Sequence, residues 1–138
     1  MEMENNNNEE VVEANNSQGD FVFIVEDDKF LRDLLVRKLE SRGFKVDVAV
    51  TGKEAYGKIK ETKPSIVLLD LVLPEGSGFD ILEQLKRDAE VKDIPVIILS
   101  NLGQKEEVEK GLSLGAEDYM IKAHFTPDEI IKKIKDIL

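Results

Sequence analysis

Two near-continuous apolar runs, SIVLL (65–69) and VIIL (96–99), constrain this chain more than any other feature of it. A strand with one wet face alternates polar and apolar side chains, so such runs belong to strands covered on both faces, as in a parallel sheet between helices. A third run, FVFIV (21–25), is β-branched and aromatic and is bounded by acids. The stretches between them change to a helical period. Phe30, Leu31, Leu34, Leu35 and Leu39 mark one helical face, ended by Gly43. FKVDVAV (44–50) alternates like a half-buried strand, and Thr51-x-x-Glu54 is a capping box for a helix that Pro64 stops. A loop with Pro74, Gly76 and Gly78 leads into a helix carrying Phe79, Ile81, Leu82 and Leu85. Residues 104–114 read as a charged helix with Val108, Leu112 and Leu114, closed by Gly115, and DYMIK (118–122) as a last short strand. Thr126-Pro127-Asp128-Glu129 then caps a final helix whose stripe is Ile130, Ile131, Ile134, Ile137 and Leu138. Five β-α repeats predict an α/β fold, a parallel sheet with helices on both faces.

Composition narrows the chemistry. The chain has no cysteine and one histidine, His124, which excludes disulfides, thiolate zinc sites, iron–sulfur clusters and multi-histidine metal sites. His124 itself reads as a surface loop residue. The formal charge is −10, and half of it comes from Glu2, Glu4, Glu9, Glu10 and Glu13 in residues 1–19, which hold no Lys or Arg. Those residues, with six asparagines and a single Val11-Val12 pair of aliphatic weight, are expected to form a solvated tail ahead of one domain over 20–138. An acidic body with no basic stripe predicts no direct nucleic-acid binding. No run is long and apolar enough for a membrane span, and the N-terminus lacks a signal-peptide pattern, so a soluble cytoplasmic protein is expected.

In an open α/β sheet the working crevice lies outside the carboxyl ends of the strands. The first strand ends in Glu26-Asp27-Asp28, the third in Asp70, the fourth in Ser100 and the fifth in Lys122. If strands one and three are neighbours, spaced about 4.8 Å apart, Glu26, Asp27 and Asp70 share a pocket. Crowded carboxylates repel, and the usual resolutions are a raised pKa, a cation, or both. Hard oxygen ligands without histidine or thiolate favour Mg²⁺. Lys122 adds a permanent positive charge and Ser100 a hydroxyl for a phosphoryl oxygen. Nucleophilic aspartate, metal, lysine and hydroxyl are the parts needed to form an aspartyl phosphate. The plainer readings differ by residue. Asp28 suits an N-cap and Asp27 the helix dipole, and Tyr119 could simply pack its ring and wet its hydroxyl. Asp70 has no such explanation, since an aspartate closing SIVLL serves neither packing nor the ladder.

With FVFIVEDD, IVLLDLVLPEGSGFDIL, PVIILS and LGAEDYMIK in order, residues 20–138 resemble the response regulator receiver domain of two-component systems, the chemotaxis-regulator-like family. The resemblance implies a flavodoxin-like, doubly wound five-stranded sheet of order 2-1-3-4-5. It also implies Asp70 as phospho-acceptor, Asp27 and Asp70 as Mg²⁺ ligands with the Val72 backbone carbonyl, and Glu26 acting through water. Lys122 and Ser100 would hold the phosphoryl oxygens, and Ser100 and Tyr119 would form the switch. Implied partners are a histidine kinase or phosphotransfer protein and an unidentified downstream protein, met by a monomer or a weak phosphorylation-dependent dimer. The final helix runs to Leu138, so a stand-alone receiver is expected, catalysing only its own phosphorylation and dephosphorylation. Two departures stand out: Ala123 where the family commonly has a cis proline, and Asn101 where a small alanine is usual. The Lys122–Ala123 bond is expected to be trans, or cis only under visible strain, and a trans bond would re-aim the 123–126 loop and loosen Lys122. A dehalogenase-type phosphatase would need Asp-x-Asp after strand one, and a flavin carrier a hydroxyl-rich first loop. A degenerate receiver acting only as a docking module would have lost one of Asp27, Asp70 or Lys122.

Overall fold

A computed structural model of the protein describes residues 20–138, so the tail expected over 1–19 lies outside the described residues. The elements are β1 (Phe21–Val25), α1 (Lys29–Ser41), β2 (Lys45–Ala49), α2 (Gly52–Thr62), β3 (Ile66–Leu69), a hairpin of β4 (Val72–Leu73) and β5 (Gly76–Ser77), α3 (Gly78–Arg87), β6 (Val96–Ser100), α4 (Lys105–Ser113), β7 (Asp118–Ile121), a 3-10 turn (Lys122–His124) and α5 (Pro127–Ile137). The main sheet runs β2-β1-β3-β6-β7 with every neighbouring pair parallel. Counting its five strands alone, this is the 2-1-3-4-5 order of the doubly wound fold.

Side-chain alternation along the strands sorts two cores. Val22, Ile24, Ile66, Leu68, Ile97, Leu99 and Met120 meet Leu35 and Leu39 of α1 and Ile130, Ile131 and Ile134 of α5. Phe21, Phe23, Val25, Val67, Leu69, Val96 and Ile98 meet Ala55 and Ile59 of α2 and Ile81, Leu82 and Leu85 of α3. The runs 66–69 and 96–100 are buried throughout, because each of their faces feeds a different core. Truncating a fully buried helix residue of either core, Leu35 of α1 or Leu82 of α3, to alanine would cost about 2–5 kcal/mol.

The helix ends follow local chemistry. Asp28 caps α1, accepting from the Phe30 and Leu31 N–H groups, and Gly43 leaves that helix at φ 92°. Thr126 and Glu129 form the reciprocal box at α5. At α2 the box is only half made: Thr51 accepts from Glu54 N–H, but the Glu54 carboxylate accepts from Val50, one residue early.

Several side chains depart from the expected stripes. Phe30 is 78% exposed, because the first turn of α1 aims it away from the line of Leu31, Leu35 and Leu39. Leu112 is 46% exposed and Gly111 takes the inward position on α4, where Ile98 and Tyr119 press against it. Leu138 also lies exposed beyond the buried isoleucines of α5. The loop around Pro74 is a small hairpin, and Lys122 falls just past β7, in the 3-10 turn.

Candidate functional site

The parallel register brings the strand ends together. Val25 pairs with Leu69, Leu69 with Ile98, and Ser100 with Ile121, so the next residues open on one crevice. Glu26 N–H donates to Ala49 C=O at 3.1 Å and Asp70 N–H to Val25 C=O at 3.0 Å, which extends the ladder one step beyond each strand. Glu26, Asp70 and Ser100 are 2%, 5% and 0% exposed, and they are the buried polar side chains among the described residues. Asp27 is exposed at the rim.

Lys122 Nζ donates to Glu26 Oε1 and to Asp70 Oδ2, each at 2.8 Å. The expected loosening of Lys122 is therefore corrected. The Lys122–Ala123 bond is trans, as expected, yet the 3-10 turn directs the ammonium into the pocket. Burial acts against the lysine charge, but the bonds to Asp70 and Glu26 outweigh it and hold the ammonium above the ordinary lysine value. Burial also pushes the Glu26 carboxyl up, opposed by Lys122 and by the Asp28 N–H, which donates to Oε2 at 3.0 Å. Arg32 Nη1 donates to the Glu26 backbone carbonyl at 3.0 Å and fixes the chain there.

The donor set fits a divalent cation. One carboxylate oxygen from each of Glu26, Asp27 and Asp70 lies within 4.8 Å of the others. Three carboxylates and one ammonium leave two formal negative charges, and oxygen donors suit Mg²⁺. The Val72 N–H donates to Asp70 Oδ1 at 3.3 Å. Because Gly78 N–H bonds Leu71 C=O at 2.9 Å, Val72 and Ser77 form a non-hydrogen-bonded pair. The Val72 carbonyl is thus directed away from the partner strand of the hairpin. Gly78, part of the Asp70–Pro74–Gly78 spacing, is required sterically: a Cβ there would overlap the Asp70 carbonyl oxygen.

Ser100 and Tyr119 meet through a residue that sequence reasoning missed. Leu102 N–H donates to Ser100 Oγ at 3.3 Å, and the Tyr119 hydroxyl donates to the Leu102 carbonyl. The Tyr119 ring is half-buried and lies against Gly111. Burial, then the charges of Glu107 and Asp70, push its phenol up. His124 is exposed, outside the pocket. Leu102 acts through its backbone, which no side-chain motif announces. Arg32 could have been found as a cation one turn past the Asp28 cap.

The family model described as the response regulator receiver domain matches residues 22–135. The phosphate regulon transcriptional regulatory protein PhoB of Klebsiella pneumoniae is 37% identical over 117 residues, 85% of this chain and 51% of that protein. The DNA-binding dual master transcriptional regulator RpaA of Synechocystis is 34% identical, over 85% of this chain and 48% of that protein. The chain spans about half the length of the curated relatives it matches. Among solved structures, the receiver domain of the Francisella response regulator 1452 superposes with TM-score 0.77 at 32% identity, covering 86% of this chain and 94% of that one. Vibrio cholerae chemotaxis protein CheY4 shares the fold, with TM-score 0.79 at 24% identity over 86% and 98% of the two chains.

Proposed function

This chain belongs to the response regulator receiver domain family of two-component systems, and from that premise we propose that it accepts a phosphoryl group on Asp70 from a histidine kinase or phosphotransfer protein. The observation carrying this reading is the seat of Asp70. It is buried at the end of a central strand, 2.8 Å from the Lys122 ammonium and grouped with Glu26 and Asp27.

Glu26, Asp27, Asp70 and the Val72 carbonyl would hold Mg²⁺, with Glu26 acting through water. Bound there, Mg²⁺ offsets charge on the transferring phosphoryl oxygens. The Asp70 carboxylate attacks phosphorus as the bond to the donor's imidazole nitrogen breaks, giving an aspartyl phosphate and a free imidazole. Lys122, already paired with Asp70, follows the charge onto the new phosphoryl oxygens. The Ser100 hydroxyl donates to one of them. Drawing Ser100 inward pulls on Leu102 N–H, whose carbonyl anchors Tyr119, and so reaches the α4–β7–α5 face. That face would dock a downstream protein or a second receiver, as a monomer or weak dimer, in the cytoplasm and with no direct part for nucleic acid. Among the described residues no helix is long and apolar enough to cross a membrane. The catalysis is confined to the protein's own phosphorylation and dephosphorylation. Intact-mass measurement after incubation with acetyl phosphate tests the reading. Wild type gains one phosphate with Mg²⁺ and none with excess chelator; equal labelling without the metal would contradict it.

A further inference from the structure

Two glycines outside the acidic pocket touch backbone to backbone. Gly52 opens α2 and is buried, while Gly76 lies across from it in the exposed hairpin. The Gly52 N–H donates to the Pro74 carbonyl at 2.9 Å. A Cβ on Gly52 would stand 2.7 Å from Gly76 Cα and 2.9 Å from the Glu75 carbonyl oxygen. A Cβ on Gly76, which also has φ 141°, would stand 2.9 Å from Gly52 Cα. These neighbours are main-chain atoms, so no side-chain rotation relieves the overlap. Only separating the two segments would.

The segment bearing Gly52 is itself fixed to the pocket. Ala49 C=O holds Glu26 N–H, Val50 N–H donates to Glu54 at 2.8 Å, and Thr51 caps α2. The hairpin's other end is held by Gly78 N–H on Leu71 C=O and by Val72 N–H on Asp70. A hairpin pushed off Gly52 must pivot about that second end, and Val72 rides on it.

We propose that Gly52 and Gly76 are positioning residues for the metal site: their side-chain-free contact seats the β4–β5 hairpin and sets the backbone of Val72 beside Asp70. This rests on the Mg²⁺ reading of the acidic cluster and extends it to residues that touch no ligand. The effect acts through the main chain, so it separates from overall stability.

Mg²⁺ titration followed by amide NMR tests it, in wild type, Gly52→Ala and Gly76→Ala. Gly57→Ala, whose added Cβ meets nothing within 4 Å, and Ile59→Val, which loosens the buried side of α2, serve as comparisons. Both seat variants should weaken Mg²⁺ affinity about tenfold or more, the range for residues that orient metal ligands. In the metal-free state they should also displace the Val72 and Gly78 amide signals. Gly57→Ala and Ile59→Val should keep the wild-type Kd, although Ile59→Val lowers Tm. Gly76→Ala, changed on the exposed side, answers the question if Gly52→Ala does not fold. A wild-type Kd in either folded seat variant, or an equal loss in Ile59→Val, overturns the seat. A wild type whose Asp27, Asp70 and Val72 signals ignore Mg²⁺ overturns the metal reading, and the seat with it.

Discussion

Glu26 has both carboxylate oxygens engaged inside the protein, one by Lys122 and one by the Asp28 N–H, whereas Asp27 stands in solvent at the rim. The two acids should therefore answer differently to the same change. Asp27→Asn removes one of three crowded charges and should stabilise the metal-free protein slightly, by less than about 1 kcal/mol because the group is solvated, and so raise its Tm a little. The same variant should weaken Mg²⁺ binding, so melts with and without the metal should show a smaller Mg²⁺-induced shift; an unchanged shift would remove Asp27 from the coordination shell. Ser100 offers a second test, because its link to Tyr119 passes through both backbone groups of Leu102. A charge-assisted hydrogen bond of about 1.5–3 kcal/mol shifts a two-state population by one to two decades, which biases a switch without locking it. Ser100→Ala should still bind beryllofluoride at Asp70, with attenuated NMR shifts over residues 104–138. Wild-type shifts there would sever Ser100 from Tyr119. Asp70, Ser100 and Lys122 could be picked out from the sequence because each closes or directly follows a strand with a readable pattern. Arg32 and Leu102 were not, since they act on or through main-chain groups.

At the scale of elements, α2 is tied to the turn after α3 by charge as well as by packing. Asp88 accepts from the Tyr56 hydroxyl, from Glu90 N–H at 2.9 Å, and from Lys60 at 3.0 Å. These partners, Tyr56 first, hold its carboxyl down at about 2, below the 3.8 of a free aspartate. A carboxylate with a depressed folded-state value adds stability above its unfolded pKa and loses it as pH falls through the folded one. Asp88→Asn should accordingly lower Tm at pH 7, and its deficit against wild type should shrink below about pH 4 and vanish near about pH 2. A deficit constant across that window would mean the tie is packing alone. The helices were readable from caps and period, as at Asp28, Gly43 and Thr126. The hairpin was not, because strands of two residues are too short for alternation to register. Phe30 and Leu112 misled the reading for a related reason: near a helix end or beside an inward glycine, apolar character does not fix which way a residue faces.

For the whole molecule, the parallel crossovers are what make a site of these residues. Glu26, Asp70, Ser100 and Lys122 are far apart in sequence, and the 2-1-3-4-5 strand order sets their strand ends along one crevice. That order could not be derived from hydrophobic pattern, which specifies strands but not their neighbours; it came from the resemblance, and the sheet agrees with it. The proposed function rests on the covalent chemistry of one side chain. An acyl phosphate is reduced by borohydride to the alcohol, so a phosphorylated aspartate becomes homoserine and can be located in a peptide digest. After incubation with acetyl phosphate and Mg²⁺, homoserine should appear at position 70 and at no other aspartate, and Asp70→Asn should yield none. Homoserine at Asp27 or Asp28, or wild-type phosphate incorporation in Asp70→Asn, would contradict the assignment of Asp70 as the acceptor.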